Sequence, residues 1–198
     1  MLEIEPSTDE AGMDDQPMLD ALESIFLREG YRSVTLRSLA KRLGCSYRKI
    51  YAVAGTKEEL FLKVAKRFFN RINRDGLNES RAARPLVARI GEYLNVGIIA
   101  AKRTSRQFSE DIAILPSGRV LFDDHQEERI RGLAELVEEG IGSGEFAGYH
   151  SKLVAEVMIN AVKRVREPDF LAASGLSFAD ALSEISRLLR FGLINRTD

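Results

Sequence analysis

The stretch from Val34 to Leu60, "VTLRSLAKRLGCSYRKIYAVAGTKEEL", constrains the fold more than any other feature, because it starts three helices and stops two within 27 residues. Thr35 is a good N-cap, and Val34 with Leu39 can form a hydrophobic staple around it. Leu36, Leu39, Ala40 and Leu43 supply a buried face. Gly44 ends that helix where only glycine takes a positive φ cheaply. Ser46 caps a short helix reaching about Ala52, and Gly55 breaks the chain again. Thr56 and Glu59 then make a reciprocal capping box that opens another helix. Before this stretch, Met18, Leu22, Ile25 and Phe26 fall on one helical face, with Pro17 in the first turn and Gly30 at the end.

The rest of the chain keeps the helical period, and no convincing period-two alternation occurs. A fourth helix is predicted from Thr56 to about Arg74, with Leu60, Phe61, Val64, Phe68 and Ile72 on its apolar face. Further helices are predicted from Leu86 to about Ala101, Phe108 to Leu115 (ending at "LPSG"), Val120 to Ile141, Ser151 to Val165 (stopped by Pro168), and Ser177 to about Ile194. The fold class is all-α. A stripe of Leu153, Val154, Val157, Met158, Ala161 and Val162, and another of Phe178, Leu182, Ile185, Leu188, Leu189 and Gly192, must pack on something. That is either their own domain or the same pair of helices from a second chain.

Composition excludes several classes. Apolar residues make up 44% and charged residues 30% of 198, an ordinary globular balance. Cys45 is the only cysteine, so a disulfide framework and an all-cysteine metal site are out, and a reducing compartment, the cytoplasm, is expected. The acidic start reads as a mobile tail over residues 1–16 rather than a signal peptide. No apolar run approaches the ~18 residues of a membrane span. The net charge of -1 hides a segregation: residues 18–74 hold thirteen Lys/Arg against five Asp/Glu. Such a basic segment suits an anionic partner, or is a solvated face.

The spacing from Leu36 to Val53 is that of a helix-turn-helix. Ala40 is small where two helices cross, Gly44 makes the turn, Ile50 anchors the second helix, and Val53 closes the core. This geometry lets a helix enter a DNA major groove with its first residues at base edges. Ser46, Tyr47, Arg48, Lys49 and Tyr51 are then the exposed contact residues, with Arg37 on the preceding helix. Arg can pair with guanine; Lys, Ser and Tyr can hold phosphate. Thr35 and Lys57, at helix starts, can add phosphate contacts. Cys45 reads as a small packing residue. Deleting the acidic tail is expected to raise non-specific DNA affinity at low salt if the tail folds back on this basic segment; a plain solvating start is the alternative.

"ALESIFLREGYRSVTLRSLAKRLGCSYRKIY" followed by "GTKEELFLKV" resembles the N-terminal domain of the TetR family of bacterial transcriptional regulators over residues 18–64. "LVEEGIGSGEF" resembles, more loosely, that family's Gly-Glu-Phe turn ahead of its dimerisation helices. Two departures stand out: Arg48 where the family commonly has glycine, and Val53 and Ala54 where it commonly has an aromatic pair. The resemblance implies a helix-turn-helix domain at 17–62, a connecting fourth helix at 56–74, and a helical ligand-binding and dimerisation domain at 75–198. It implies a homodimer formed through 151–165 and 177–194. It also implies a repressor of a near-palindromic operator, released when a small-molecule effector moves the fourth helix. Tyr93, Arg103, Phe108, Phe122, His125 and Met158 are the candidate effector contacts, each also readable as core or solvated surface. No cofactor and no metal are expected. "DDHQEE", Asp123 to Glu128, is a contiguous run whose members point in several directions around a helix, and "GIGSG" follows a helix and lacks a phosphate loop's trailing Lys-Ser/Thr. The competing readings are an all-α enzyme using that charged cluster and a helical module that meets an acidic protein.

Overall fold

The computed structural model describes residues 16–146 and 148–193. The acidic tail and Ile194 lie outside the described residues. Ten helices follow in order: α1 Gln16–Glu29, α2 Leu36–Arg42, α3 Tyr47–Val53, α4 Lys57–Ala82, α5 Leu86–Lys102, α6 Arg106–Ile114, α7 Pro116–Gly142, α8 Ser151–Val165, α9 Pro168–Ser174 and α10 Phe178–Leu193. No strand occurs among the described residues.

Two apolar cores form. The first gathers α1, α2, α3 and the first turns of α4 around Leu22, Phe26, Leu39, Ile50, Leu60 and Phe61, all fully buried. It continues through Phe68 and Phe69 to Phe108 and Ile112 of α6. The second packs α5, α7 and α8 around Ile90, Tyr93, Leu133, Val137 and Met158.

The predicted caps form. Thr35 Oγ1 accepts from Ser38 N at 3.1 Å, and Ser38 Oγ, not a glutamate, returns the bond to Thr35 N. Thr56 and Glu59 bond reciprocally at 3.1 Å each way. Gly44 sits at φ +61°, with its N–H on the Lys41 carbonyl and the Cys45 N–H on the Ala40 carbonyl. That pair of bonds is the Schellman closure of α2. Cys45 is half-buried and packs on the first core.

Three boundaries differ from the sequence expectation. α4 runs past Arg74 and through Gly76 to Ala82. Gly76 is a contact glycine rather than a stop: a Cβ there would meet Arg129 Nη1 at 2.9 Å and the Tyr93 ring at 3.4 Å. "LPSG" does not separate two helices by a loop, because Pro116 opens α7 as its first residue, where a missing N–H costs nothing. Pro168 plays the same part at the head of α9, a helix the sequence reading left out. The broad stripe expected on α8 is divided: Met158 and Val162 face inward, while Leu153 and Val157 stay 61% and 58% exposed.

α6 is tied to the end of α1 and the turn that follows it. Asp111 is fully buried, and its carboxylate accepts from Tyr31 N at 2.7 Å, Arg32 N at 3.3 Å and the Arg32 side chain. Ser105 N donates to the Leu27 carbonyl at 2.7 Å. Gly30 has φ +70°, and a Cβ there would overlap the Asp111 carboxylate. Gly30→Ala therefore combines backbone strain with a clash. It is expected to cost about 1–3 kcal/mol, read from urea denaturation.

Candidate nucleic-acid interface and ligand cavity

α3 presents two unlike faces. Ile50 is fully buried against α2, and Val53 and Ala54 are half-buried on the first core. The outer face carries Tyr47, Arg48, Lys49 and Tyr51, all exposed, with the tyrosine rings stacked at 6.1 Å between centroids. Ser46 Oγ accepts from Lys49 N at 3.2 Å and so caps this face from its N-terminal end. Lys63 of α4 donates to the Val53 carbonyl at 3.2 Å and closes the other end. The small residues at Val53 and Ala54 thus do not leave the helix unsupported.

Arg37 is exposed on α2, and Thr35 is exposed at its cap. Lys57 is placed differently from the others. It is half-buried, its ammonium donates to the Val34 carbonyl at 2.9 Å, and it lies 5.0 Å from the Tyr31 ring centroid. Lys57 ties the start of α4 to the segment that leads into α2. Several other bases of the segment are committed to internal pairs: Arg42 with Glu29, and Arg67 and Arg71 with buried Glu23. The charge excess counted along the sequence overstates the field on the outer face.

A cavity of about 670 Å³ lies in the helical body, walled by α4, α5, α6, α7, α8 and α10. It is within the size range of ligand sites. Tyr93, Phe108, Phe122, His125 and Met158, from four helices, all line it. Arg103 does not: it is an exposed residue whose guanidinium lies 3.9 Å from Glu23, outside the lining. The run Asp123–Glu128 diverges as a helix requires. Asp123 pairs with Arg166 at 2.8 Å, Glu127 faces Lys163 at 3.8 Å, Glu128 meets Asn73, and His125 turns inward. No cluster of three or more His, Cys, Asp or Glu side chains suited to a metal occurs among the described residues.

Sequence reasoning missed Arg129, one turn after His125 on the same face of α7. It is 7% exposed and lines the cavity. Its Nη2 donates to the Tyr93 carbonyl at 2.6 Å and its Nη1 to the Ile72 carbonyl at 3.4 Å. The Tyr93 hydroxyl donates back to the Arg129 carbonyl at 2.7 Å. Gly76 and Gly97 leave the room its guanidinium fills. The paired glycines are a signal in the sequence, but nothing along the chain says which side chain they admit. Burial lowers the pKa of Arg129, with Tyr93 acting the other way, yet a guanidinium starts so high that it stays charged.

Residues 18–64 match the profile of the bacterial regulatory proteins, tetR family. The match is confined to this N-terminal stretch and marks it as similar to that family. No curated protein matches the chain. Among solved structures, a transcriptional regulator from Cytophaga hutchinsonii superposes with a TM-score of 0.75 at 14% identity, over 93% of this chain and 100% of that one. A chain described as a transcriptional regulator from Saccharomonospora viridis, in complex with choline, gives 0.70 at 15% identity, over 92% and 98%. The regulator FadR from Bacillus subtilis, in complex with stearoyl-CoA, gives 0.64 at 14% identity, over 89% and 97%. At such identities the likeness establishes the fold alone, TetR-like and all-α over the described residues.

His125 has an acid-stability consequence. It is 6% exposed and stacked on Phe69 at 4.6 Å, and its pKa is pushed down to about 3 by burial first and by the Arg129 charge second. The folded pKa lies below the unfolded value of 6.5, so the unfolded chain binds the extra proton between them. Stability is full above pH 6.5 and is lost as pH falls toward 3. Wild type is expected to lose about 2 kcal/mol more than His125→Phe between pH 8 and pH 5, measured by urea titrations at both values.

Proposed function

We propose that this protein is a transcriptional repressor that binds a near-palindromic operator as a homodimer and leaves it when a small molecule fills the cavity. The observation that carries this reading is the outer face of α3. It sets Tyr47, Arg48, Lys49 and Tyr51 on a rigid, doubly capped helix within a domain similar to those of the TetR family. A capped helix anchored by one buried Ile50 has the build of a reading head. Thr35 and Arg37 stand beside it for phosphate. Lys57 acts as an internal brace whose backbone N–H, at the head of α4, remains the group suited to a phosphate.

The dimer is formed by α8 and α10. Leu153 and Val157 on α8 and Leu188 and Phe191 on α10 are 58–77% exposed, an apolar surface of the kind that marks an interface. The two reading helices then fall a helical turn, ~34–36 Å, or a related spacing apart. The effector acts by linkage, because a ligand that binds one spacing more tightly than the other lowers DNA affinity. Choline and stearoyl-CoA are the ligands of the two neighbours named above, and an effector for this chain fits the same architectural role. The protein acts where the DNA is, in the cytoplasm.

Selection of bound duplexes from a random pool tests the central claim. Enrichment of one near-palindrome is expected. Equal retention of all duplexes would reject the operator reading, and no retention would favour an acidic protein partner. Arg48→Ala is expected to cost about 1–3 kcal/mol and relax preference at a single base position. Uniform weakening across all sequences would make Arg48 a phosphate contact instead. Leu188→Arg is expected to shift the protein from dimer to monomer in sedimentation velocity, with α-helical circular dichroism unchanged.

A further inference from the structure

We infer that the cavity selects an amphipathic carboxylate, an apolar body carrying one anionic head, and that Arg129 is the residue that binds the head. This rests on reading the cavity as an effector site and names the class of effector.

The argument begins with an imbalance of charge. Other buried ionic groups of this protein are paired: Glu23 with Arg67 and Arg71, and Asp111 with Arg32. Arg129 is buried to the same degree, yet no carboxylate among the described residues comes within 4.0 Å of its nitrogens. Its two protein acceptors are neutral backbone carbonyls, of Ile72 and Tyr93. A guanidinium has five N–H donors, so these two bonds leave capacity for a bidentate partner. The Tyr93 ring lies 4.6 Å from the guanidinium, but neither ring nor carbonyl carries a full charge. A buried charge without a counter-ion is expensive, and a bound anion offsets that cost where a bound cation adds to it.

A second, independent observation lies one turn away. His125 Nδ1 is buried on the cavity wall and has no hydrogen-bond partner. A neutral imidazole can donate to or accept from a ligand oxygen according to its tautomer. Arg129 and His125 stand at i and i+4 on α7, so their heads can serve one group. Around them the wall is apolar and aromatic, with Phe69, Phe108, Phe122 and Met158, which suits a hydrocarbon or ring body. The anionic side chains of the lining, Glu110, Glu167 and Asp180, are all at least partly exposed, away from the buried pair.

The test uses three probes with one tail and different heads: decanoate, decan-1-ol and decyltrimethylammonium, titrated calorimetrically into the DNA-free protein below their aggregation limits. Decanoate is expected to bind about tenfold or more tighter than either of the others. Arg129→Met, which replaces the cation with an apolar chain of similar length, is expected to erase the preference for decanoate over the alcohol. Equal affinity for alcohol and carboxylate in the wild type overturns the proposal, as does tightest binding of the quaternary ammonium or no binding of any probe. If Arg129→Met fails to fold, the three wild-type titrations decide alone. A carboxylate preference in a protein that selects no DNA sequence would keep this assignment and remove the operator reading, so the two failures are separable.

Discussion

A continuous run of aromatic contacts holds the N-terminal helix-turn-helix to the helical body. Phe26 of α1 meets Phe61 of α4 at 5.4 Å, Phe61 meets Phe108 of α6 at 5.5 Å, and Phe108 meets Phe68 and Phe69 at 6.2 and 6.5 Å. Phe69 continues to Phe122 of α7 at 5.8 Å, and Phe122 to Phe178 of α10 at 6.2 Å. Most of these pairs are edge-to-face, a geometry with its own directional preference. The run that begins in the helix-turn-helix core at Phe26 and Phe61 therefore reaches, further along α4, the wall of the cavity at Phe68 and Phe69. Close-packed interiors respond to a new occupant by shifting between discrete arrangements rather than by yielding smoothly. A ligand that displaces Phe69 or Phe108 acts on side chains in contact with Phe61.

Charge is arranged along the same axis with two different logics. At the head, buried acids are satisfied. Asp111 gathers two backbone N–H groups and Arg32 beneath Gly30, and Glu23 draws Arg67 and Arg71 of α4 onto α1. Removing one member of such a set leaves the other buried without a partner, so these pairs fix geometry more than they add stability. In the body the buried cation Arg129 is held by two carbonyls and the Tyr93 ring, 4.6 Å away, and not by a carboxylate. The paired acids thus lie around α1 and the turn after it, and the buried cation without a counter-ion lies in the cavity wall.

The legible part of the fold is the part decided by local chemistry. Thr35, Gly44, Ser46, Thr56 and Glu59 act on backbone groups within five residues of themselves, so a sequence reading places α2, α3 and the head of α4 to within a residue. The same holds for Cys45, whose N–H closes the turn while its side chain packs inward. Glycine and proline mislead where their role is tertiary. Gly76 resembles a stop but makes room for Arg129 and Tyr93, and Pro116 resembles a terminator but begins α7. Five cavity residues were legible because large aromatic, thioether and imidazole side chains on inward helical faces converge in an all-α body. Arg103, the residue after α5, lies outside the lining, and charge alone does not tell which way such a residue faces. Arg129 was hidden inside a solvated-looking "QEERIR", since only the packing of α7 against its neighbours turns Gln126, Arg129 and Ile130 inward and leaves the other three outside.

Arg129 also bears on how occupancy could reach the DNA. Its guanidinium spans α4 and α5 through the Ile72 and Tyr93 carbonyls, so α4 is tethered to α7 by a hydrogen bond as well as by packing. The Ile72 bond is the longer of the two, at 3.4 Å against 2.6 Å, and is the weaker contact. An anion engaging the remaining N–H donors draws on the same guanidinium, and the contact most easily lengthened is the one to α4. The helix so released is the one whose head is capped at Thr56 and braced by Lys57 to Val34, immediately before the Thr35 cap of α2. On this arrangement a neutral ligand of equal size fills the cavity without drawing on the tether. The head group, more than the volume of the ligand, then sets how far binding biases the position of α4.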